Sequence, residues 1–448
     1  MEDQTQRLPH DVLADVLLRL QKTSPRSLAA SRSVCKAWLT LIDTRRLLAD
    51  LLPHALTGIF FGLDGETLPR HFSVATSAAN IAPFDYLDTR NTDDYLAVRQ
   101  HCNGLLLLVA DDYNEPEEAW VVNPATQQWA HLPIPPPMCT PGMEDMYDVH
   151  GYMDCHDQYL VFNPMVSPHY EVFLVKYVPF IPLPDSNHLV ALHIQETEWP
   201  PSTFVLLVYS SKTNQWEERP FVREGEAAGI IDDMLQACPS DHRFAAYWQE
   251  ALYFHQRGLF MRMDLSSNKY QTIKPPDGFR EYFVEHHFGK SKNGVYCALL
   301  DAFRLRIWYL DGTGDHLNWI LKCDSNLHPL LADFSREHND RLSKVRCGKC
   351  DEDGRSKALV GEDLVFDNDS AGSTKDRSEQ SYIKHSLLGF HPNEEIVFLH
   401  TPLNRVMSYH FNSSEIQDLG CLPVETQSQL GLCFPYTPCL MGEFSNHK

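Results

Sequence analysis

The feature that most constrains this chain is a pattern used four times beyond residue 100. An apolar run closes on a small polar turn, resumes on a bulky residue and leaves through proline or glycine. The four stretches are 119-AWVVNPATQQWAHLPIPP-136, 204-FVLLVYSSKTNQWEERPF-221, 251-ALYFHQRGLFMRMDLSSNKYQTIKPP-276 and 387-LLGFHPNEEIVFLHTPLNRVMSYHFNSSEIQDLG-420. The first follows another apolar run, 101-HCNGLLLLVADD-112. Short apolar runs bounded by turn residues read as β-strands. Asn-Pro-x-Thr, Ser-Ser-x-Thr-Asn, Leu-Ser-Ser-Asn and Asn-Ser-Ser carry side chains that bond nearby backbone and close tight turns. The strand after each turn opens on Trp129, Trp216, Tyr270 or Ile416.

Spacing turns this pattern into a fold. Trp216 lies 87 residues after Trp129, Tyr270 a further 54, and Ile416 a further 146. Divided as two units, one unit and three units, these intervals approach the 40–50 residues of a four-stranded propeller blade. Residues 282–322, with Gly294-Val295-Tyr296 and Ile307-Trp308-Tyr309, supply an intervening blade. We therefore expect residues 53–444 to form a large all-β domain, a six- to seven-bladed β-propeller, whose radial closure protects its strand edges. A pair of β-sandwiches is the alternative. Residues 347–380 are polar and acidic with few aromatics, and read as a flexible insertion between strands.

The first fifty residues follow another period. Leu8, Val12, Leu13, Val16, Leu17 and Leu20 recur as one helical stripe, with Pro9 in the first turn where its missing N–H costs nothing. Thr23-Ser24-Pro25 interrupts it. Leu28, Val34, Cys35, Trp38, Leu41 and Ile42 then mark a second helix, and Arg45 to Leu52 a third, stopped by Pro53. Residues 1–52 are thus expected to be a small three-helix, all-α domain, too short for a comfortable core of its own. Either a partner helix or the remainder of the chain covers the excess apolar surface.

Charge separates the same two parts. The chain has 60 acidic and 38 basic residues, but residues 1–52 carry eight bases and six acids, a net of +2 that leaves −24 for everything after. Broad nucleic-acid binding is excluded by that acidity. No apolar run approaches the roughly 18 residues of a membrane span. The opening lacks the apolar core of a secretory signal. Twelve scattered cysteines then read as reduced thiols, and the expected location is cytoplasmic, nuclear or both.

The head resembles an F-box. Leu8-Pro9, Asp11, Leu13, Leu17, Arg19-Leu20, Leu28, Arg32, Val34-Cys35-Lys36 and Trp38 match that family's pattern, although Gln21 replaces its proline after Arg-Leu and the loop over Gln21–Ser24 is longer. The resemblance implies docking on a Skp-type adaptor and, through it, on cullin. It makes Leu8, Pro9, Leu13, Val16, Leu17, Leu28, Val34, Cys35 and Trp38 the candidate adaptor-binding residues, with Arg19, Arg32 and Lys36 favouring encounter with an acidic partner. The body resembles the kelch-like F-box-associated region of plant F-box proteins, through Cys102-Asn103-Gly104-Leu105-Leu106, Asn123-Pro124-x-Thr126, Gly389-Phe390-His391-Pro392 and Val406-Met407-Ser408-Tyr409. Together they imply the substrate-recognition subunit of a Skp–cullin–F-box ubiquitin ligase, non-catalytic itself, whose propeller binds an unknown target protein. A propeller enzyme with a central site, or an F-box scaffold outside the ligase, are the alternatives.

Chemical motifs are sparse. Cys347-Gly-Lys-Cys350 has half of a zinc spacing, and only His328 and His338 are obvious further ligands. Gly312-Thr-Gly314 reads as a hairpin turn, and Gly-x-Ser-x-Gly, His-Glu-x-x-His and P-loop patterns are missing. His286-His287 stands without a carboxylate or cysteine arrangement and reads as surface or satisfied core. No catalytic residue, metal or cofactor is expected.

Overall fold

The computed structural model describes residues 10–23, 28, 31, 34, 36–45, 47, 56–63, 68–74, 84–87, 96–110, 118–136, 156–178, 196–235, 244–256, 258–279, 285–312, 317–331, 385–401, 404–423, 430–440 and 444. Among the described residues, α1 (His10–Thr23) and α2 (Lys36–Thr44) open the chain; Leu28 and Ser31 between them are helical too, but Val34 stands in a turn, so the second helix expected from Leu28 to Ile42 is not continuous. The third helix expected over 45–52 lies mostly outside the described residues, as do the 347–380 insertion and the Cys347/Cys350 pair.

The rest is overwhelmingly strand. β1 (Gly58–Leu63) pairs antiparallel with β2 (Arg70–Ser73). β3 (Leu96–Cys102), β4 (Leu105–Ala110), β5 (Ala119–Asn123) and β6 (Gln128–His131) form a sheet in chain order. β7 (His156–Phe162) and β8 (Tyr170–Lys176) continue the pattern, and β9 (Glu198–Trp199) is set aside from the sheet that they share with β10 (Thr203–Ser210) and β11 (Gln215–Arg223). β12 (Gly229–Ile230) pairs with β9 and leads into a single helical turn, α3 (Ile231–Leu235).

Three further sheets follow, each in chain order. They are β13 (Ala245–Trp248), β14 (Ala251–Gln256), β15 (Leu259–Asp264) and β16 (Lys269–Ile273); then β17 (Glu285–Ser291), β18 (Gly294–Asp301), β19 (Arg304–Asp311) and β20 (Asn318–Asn326); then β21 (Ser386–Phe390), β22 (Ile396–His400), β23 (Arg405–His410) and β24 (Glu415–Cys421). Finally β25 (Leu430–Tyr436) returns to pair with β1, in a register that sets Gly58 opposite Tyr436 and Phe60 opposite Phe434.

The first strands β3, β7, β13, β17, β21 and β25 neighbour one another in that order, and β25 meets β3. The body is therefore a closed, propeller-like ring of antiparallel sheets. Burial follows from this stacking. β4, β5, β14 and β22 are buried along their whole length because both sheet faces pack on neighbours, hence the unbroken apolar runs LLLLVA in β4 and IVFL in β22. The outermost strands β11, β20 and β24 are largely open to water and carry polar and charged residues among the apolar ones. One departure joins two units: β11 and β16 meet edge to edge in parallel, with Val222 opposite Lys269 and Arg223 opposite Tyr270.

The repeated turn is real and has one geometry. Gln127, Asn214, Asn268 and Ser414 all adopt left-handed backbone, with φ between 53° and 58°. In the first, third and fourth residues of that set the preceding strand end is Asn123, Asp264 and His410; in the second it is Ser210. The Asn123 Oδ1 accepts from the Ala125 and Thr126 amides, and the Asp264 Oδ1 from those of Ser266 and Ser267, which closes the turn as the side-chain pattern predicts. The unit count inferred from spacing needs correcting. Trp129 on β6 and Trp216 on β11 stand on consecutive sheets, so 87 residues make one step, not two. Tyr270 on β16 and Ile416 on β24 are two steps apart, not three. Long stretches of chain, between β6 and β7, between β8 and β10 and between β20 and β21, rather than extra units, lengthen the intervals.

Candidate functional site

Two surfaces gather the residues that matter: the outer face of the helical head and a cavity at the centre of the ring. On α1 the single stripe expected from periodicity divides in two. Leu13, Ala14 and Leu17 are buried, and with Leu28, Leu41, Ile42 and Leu47 they belong to one continuous apolar cluster with Leu160, Phe162, Tyr170, Leu440 and Phe444 of the body. The rest of this chain thus covers one face of the head. The opposite face of α1 stays in water, with Val12 46% exposed, Val16 42% and Leu18 37%, and in the turn ahead of α2 Val34 is 55% exposed. Val12, Asp15, Val16 and Arg19, spaced i, i+3, i+4 and i+7, form one outward row on α1.

The expected adaptor-binding residues are therefore placed unequally. Leu13, Leu17 and Leu28 are inside the head's core; Val16 and Val34 face outward; Leu8, Pro9 and Cys35 lie outside the described residues. Trp38 is half-buried against the shared cluster, its indole Nε1 buried with no hydrogen-bond partner among the described residues.

The cavity has a volume of about 400 Å³ and opens where the first strands end and turn outward. The Cys102-Asn103-Gly104 turn builds one wall. Asn103 at φ 45° and Gly104 at φ 92° make the two-residue turn between β3 and β4. A Cβ on Gly104 would come within 2.5 Å of the Cys439 Cβ, so only glycine allows this close approach. The Asn103 Nδ2 donates to the Phe162 carbonyl at 2.6 Å, and its Oδ1 accepts from the Lys290 ammonium on β17. The Phe162 amide donates to the Cys102 Sγ at 3.3 Å. His101 lies flat on Phe434, ring centroids 4.4 Å apart and 8° from parallel.

Electrostatically the cavity is the inverse of the chain. Its described lining includes Lys290, Lys292, His101 and His287 but no aspartate or glutamate, in a protein with 60 acids. Burial holds the Lys290 ammonium below the usual lysine range. Burial, helped by the nearby Lys290 charge, holds His101 neutral with its pKa lowered to about 3. Burial also raises the Cys102 thiol, which keeps it protonated and unreactive although Lys290 pulls the other way. His286 and His287 are buried among rings, 5.8 and 4.3 Å from Phe244. Among the described residues no three metal-ligating side chains converge, and His328 belongs to no such group. The six described cysteines are free thiols. No described helix is long and apolar enough to cross a membrane.

Sequence reading passed over the cavity residues, although Cys102-Asn103-Gly104 stood out as a motif. The signal available was the Asn-Gly turn; that Lys290, 187 residues away, meets it follows from ring closure alone.

A family model described as the F-box domain matches residues 6–50. It covers the head, including both outward and inward rows of α1. No curated protein matches the chain in sequence. Among solved structures the chain is similar to TolB from Acinetobacter baumannii, with 10% identity, 90% of this chain and 72% of that one covered and a TM-score of 0.39. It is also similar to YCF48 bound to a D1 peptide, with 6% identity, 82% of each chain covered and a TM-score of 0.34. Both likenesses are too distant to assign an activity. F-box domains generally bind Skp-type adaptors.

Proposed function

We propose that this chain is the substrate-recognition subunit of a Skp–cullin–F-box ubiquitin ligase, working in the cytoplasm, the nucleus or both. In this reading residues 1–52 are the adaptor-binding domain and residues 53–444 a six-bladed propeller, with β25 as the innermost strand of the blade completed by β1 and β2. The observation that carries the proposal is the match of residues 6–50 to the F-box domain combined with an apolar row that the body leaves uncovered. Covering Val12, Val16, Leu18 and Val34 with an adaptor helix removes apolar surface from water at about 25 cal/mol per Å². Arg19 beside that row steers an acidic adaptor toward it. The chain performs no covalent step. It holds a target lysine near a charged ubiquitin carrier and raises their effective concentration.

The inward and outward rows give this a sharp test. Val16→Asp with Val34→Asp places charge on the outward face only, and co-purification with a Skp-type adaptor is expected to fall at least about tenfold. The melting temperature of the body is expected to stay unchanged. Leu13→Asp puts an unpaired charge into the shared core, so it is expected to lower stability and adaptor binding together. Full adaptor retention by the outward double variant rejects the docking surface.

A further inference from the structure

The cavity at the ring's centre combines features that the adaptor reading does not use. Lys290 lines it with a single hydrogen-bond acceptor, the neutral Asn103 amide, and with no carboxylate partner among the described residues. Part of the side chain is open to the cavity while protein encloses the remainder. A cation held this way has lost water on most sides and gained no counter-charge, an arrangement that costs free energy until an anion arrives. Acids outnumber bases by 22 over the whole chain, so their complete absence from the described lining leaves this as a local positive concavity in an acidic molecule. The rest of the lining is largely apolar and includes Phe244 and Trp248 at the two ends of β13, Phe390 on β21 and Phe434 on β25, together with the amide groups of Asn103 and Asn163.

We propose that the central cavity binds a monoanionic carboxylate carried on an apolar, aromatic-sized stem, with Lys290 as its charge partner and Asn103 orienting that lysine. One enclosed lysine and amides, with Lys292 exposed to water and no arginine fork in the described lining, suit a monoanion better than the double charge of a phosphate ester. The volume of about 400 Å³ accepts a body of drug-like size. Desolvation of Lys290 agrees with this, since a bound carboxylate supplies the counter-charge that its surroundings lack. Asn103 is fixed from both ends, by the Phe162 carbonyl and by the ammonium, so the lysine is positioned before a ligand enters. The proposal rests on the body alone and is independent of adaptor docking. The carboxylate has two possible sources, a free small acid or the C-terminus of a protein chain, and both present the same chemistry.

The test uses the full chain and calorimetric titration with matched pairs. 3-Phenylpropionate is compared with 3-phenylpropionamide, and an apolar hexapeptide bearing a free C-terminus with its amidated form. At least one acid of the two pairs is expected to bind about tenfold or more tighter than its own amide. Lys290→Met is expected to abolish that preference, and Lys290→Arg to keep most of it. Selectivity for the peptide acid assigns a protein terminus as the source; selectivity for the small acid assigns a free ligand. The wild-type acid–amide comparison needs no variant to fold. Equal binding of acid and amide, no binding by any of the four, a preference that survives in Lys290→Met, or tighter binding of phenyl phosphate than of either acid each overturns the proposal.

Discussion

A buried imidazole shows what single side chains contribute here. His71 and His385 have pKa values lowered to about 4 and His101 to about 3, all chiefly through desolvation. Unfolded, each returns to the ordinary histidine value of about 6.5. Between that value and the folded one the unfolded chain binds more protons, so stability is full above pH 6.5 and declines as pH falls toward 4. Carboxylates titrate below about pH 5 as well, so the informative window is the upper half of this range. His101→Phe keeps a flat ring for Phe434 to stack on and removes one titrating site. We expect urea midpoints measured from pH 6.5 to 5 to fall less steeply for His101→Phe than for the natural chain; parallel slopes count against the assignment. Nothing in the residues around position 101 foretells this behaviour. A histidine beside a cysteine in a strand reads as ordinary until Phe434 and Lys290 arrive from distant strands.

At the scale of elements the sheets are fastened to one another by a device half visible in sequence. The Trp216 Nε1 on β11 donates to the Pro133 carbonyl at 2.7 Å, and the Trp319 Nε1 on β20 donates to the Lys274 carbonyl at 2.8 Å. Each indole reaches back to the exit of the preceding sheet. Tyr270 on β16 also donates its hydroxyl across, but to the Pro201 carbonyl just ahead of β10 and not to a strand exit. The bulky residue after the turn and the proline after the strand were legible separately; that one clasps the other across sheets was not, because the partners are 83 residues apart. Trp216→Phe keeps much of the packing on Tyr209, whose ring is 5.5 Å away, and deletes the donor. The expected loss is about 1 kcal/mol in chemical denaturation, at the level of one net hydrogen bond. A loss indistinguishable from zero sinks the clasp. The head shows the same limit of local reading: period 3.6 identified α1, but body residues distant in sequence, among them Phe162, Tyr170, Leu440 and Phe444, decide that Leu13 and Leu17 face inward while Val12 and Val16 do not.

The whole molecule depends on the meeting of its two ends. Turn grammar revealed the strands and their pairing, since every hairpin is local. Spacing misjudged the steps, since connections vary in length while sheets do not. Closure is the least local contact of all: β25 pairs with β1, and the Tyr436 carbonyl accepts from the Thr57 Oγ1 at 3.2 Å across 379 residues. The same C-terminal segment supplies Cys439, Leu440 and Phe444 to the cluster beneath the head and one wall of the cavity. Removing residues 425–448 therefore takes away an inner strand, the head's seat and a cavity wall at once. It leaves β1 and β21 with unpaired or uncovered edges and faces, which favour association with other chains. We expect the truncated chain to lose its cooperative unfolding transition and to elute as aggregate. A deletion confined to 441–448 removes Phe444 but spares β25, and is expected to keep the transition with a lower midpoint. If the larger truncation unfolded cooperatively as a monomer, ring closure by β25 would not be what holds the body together.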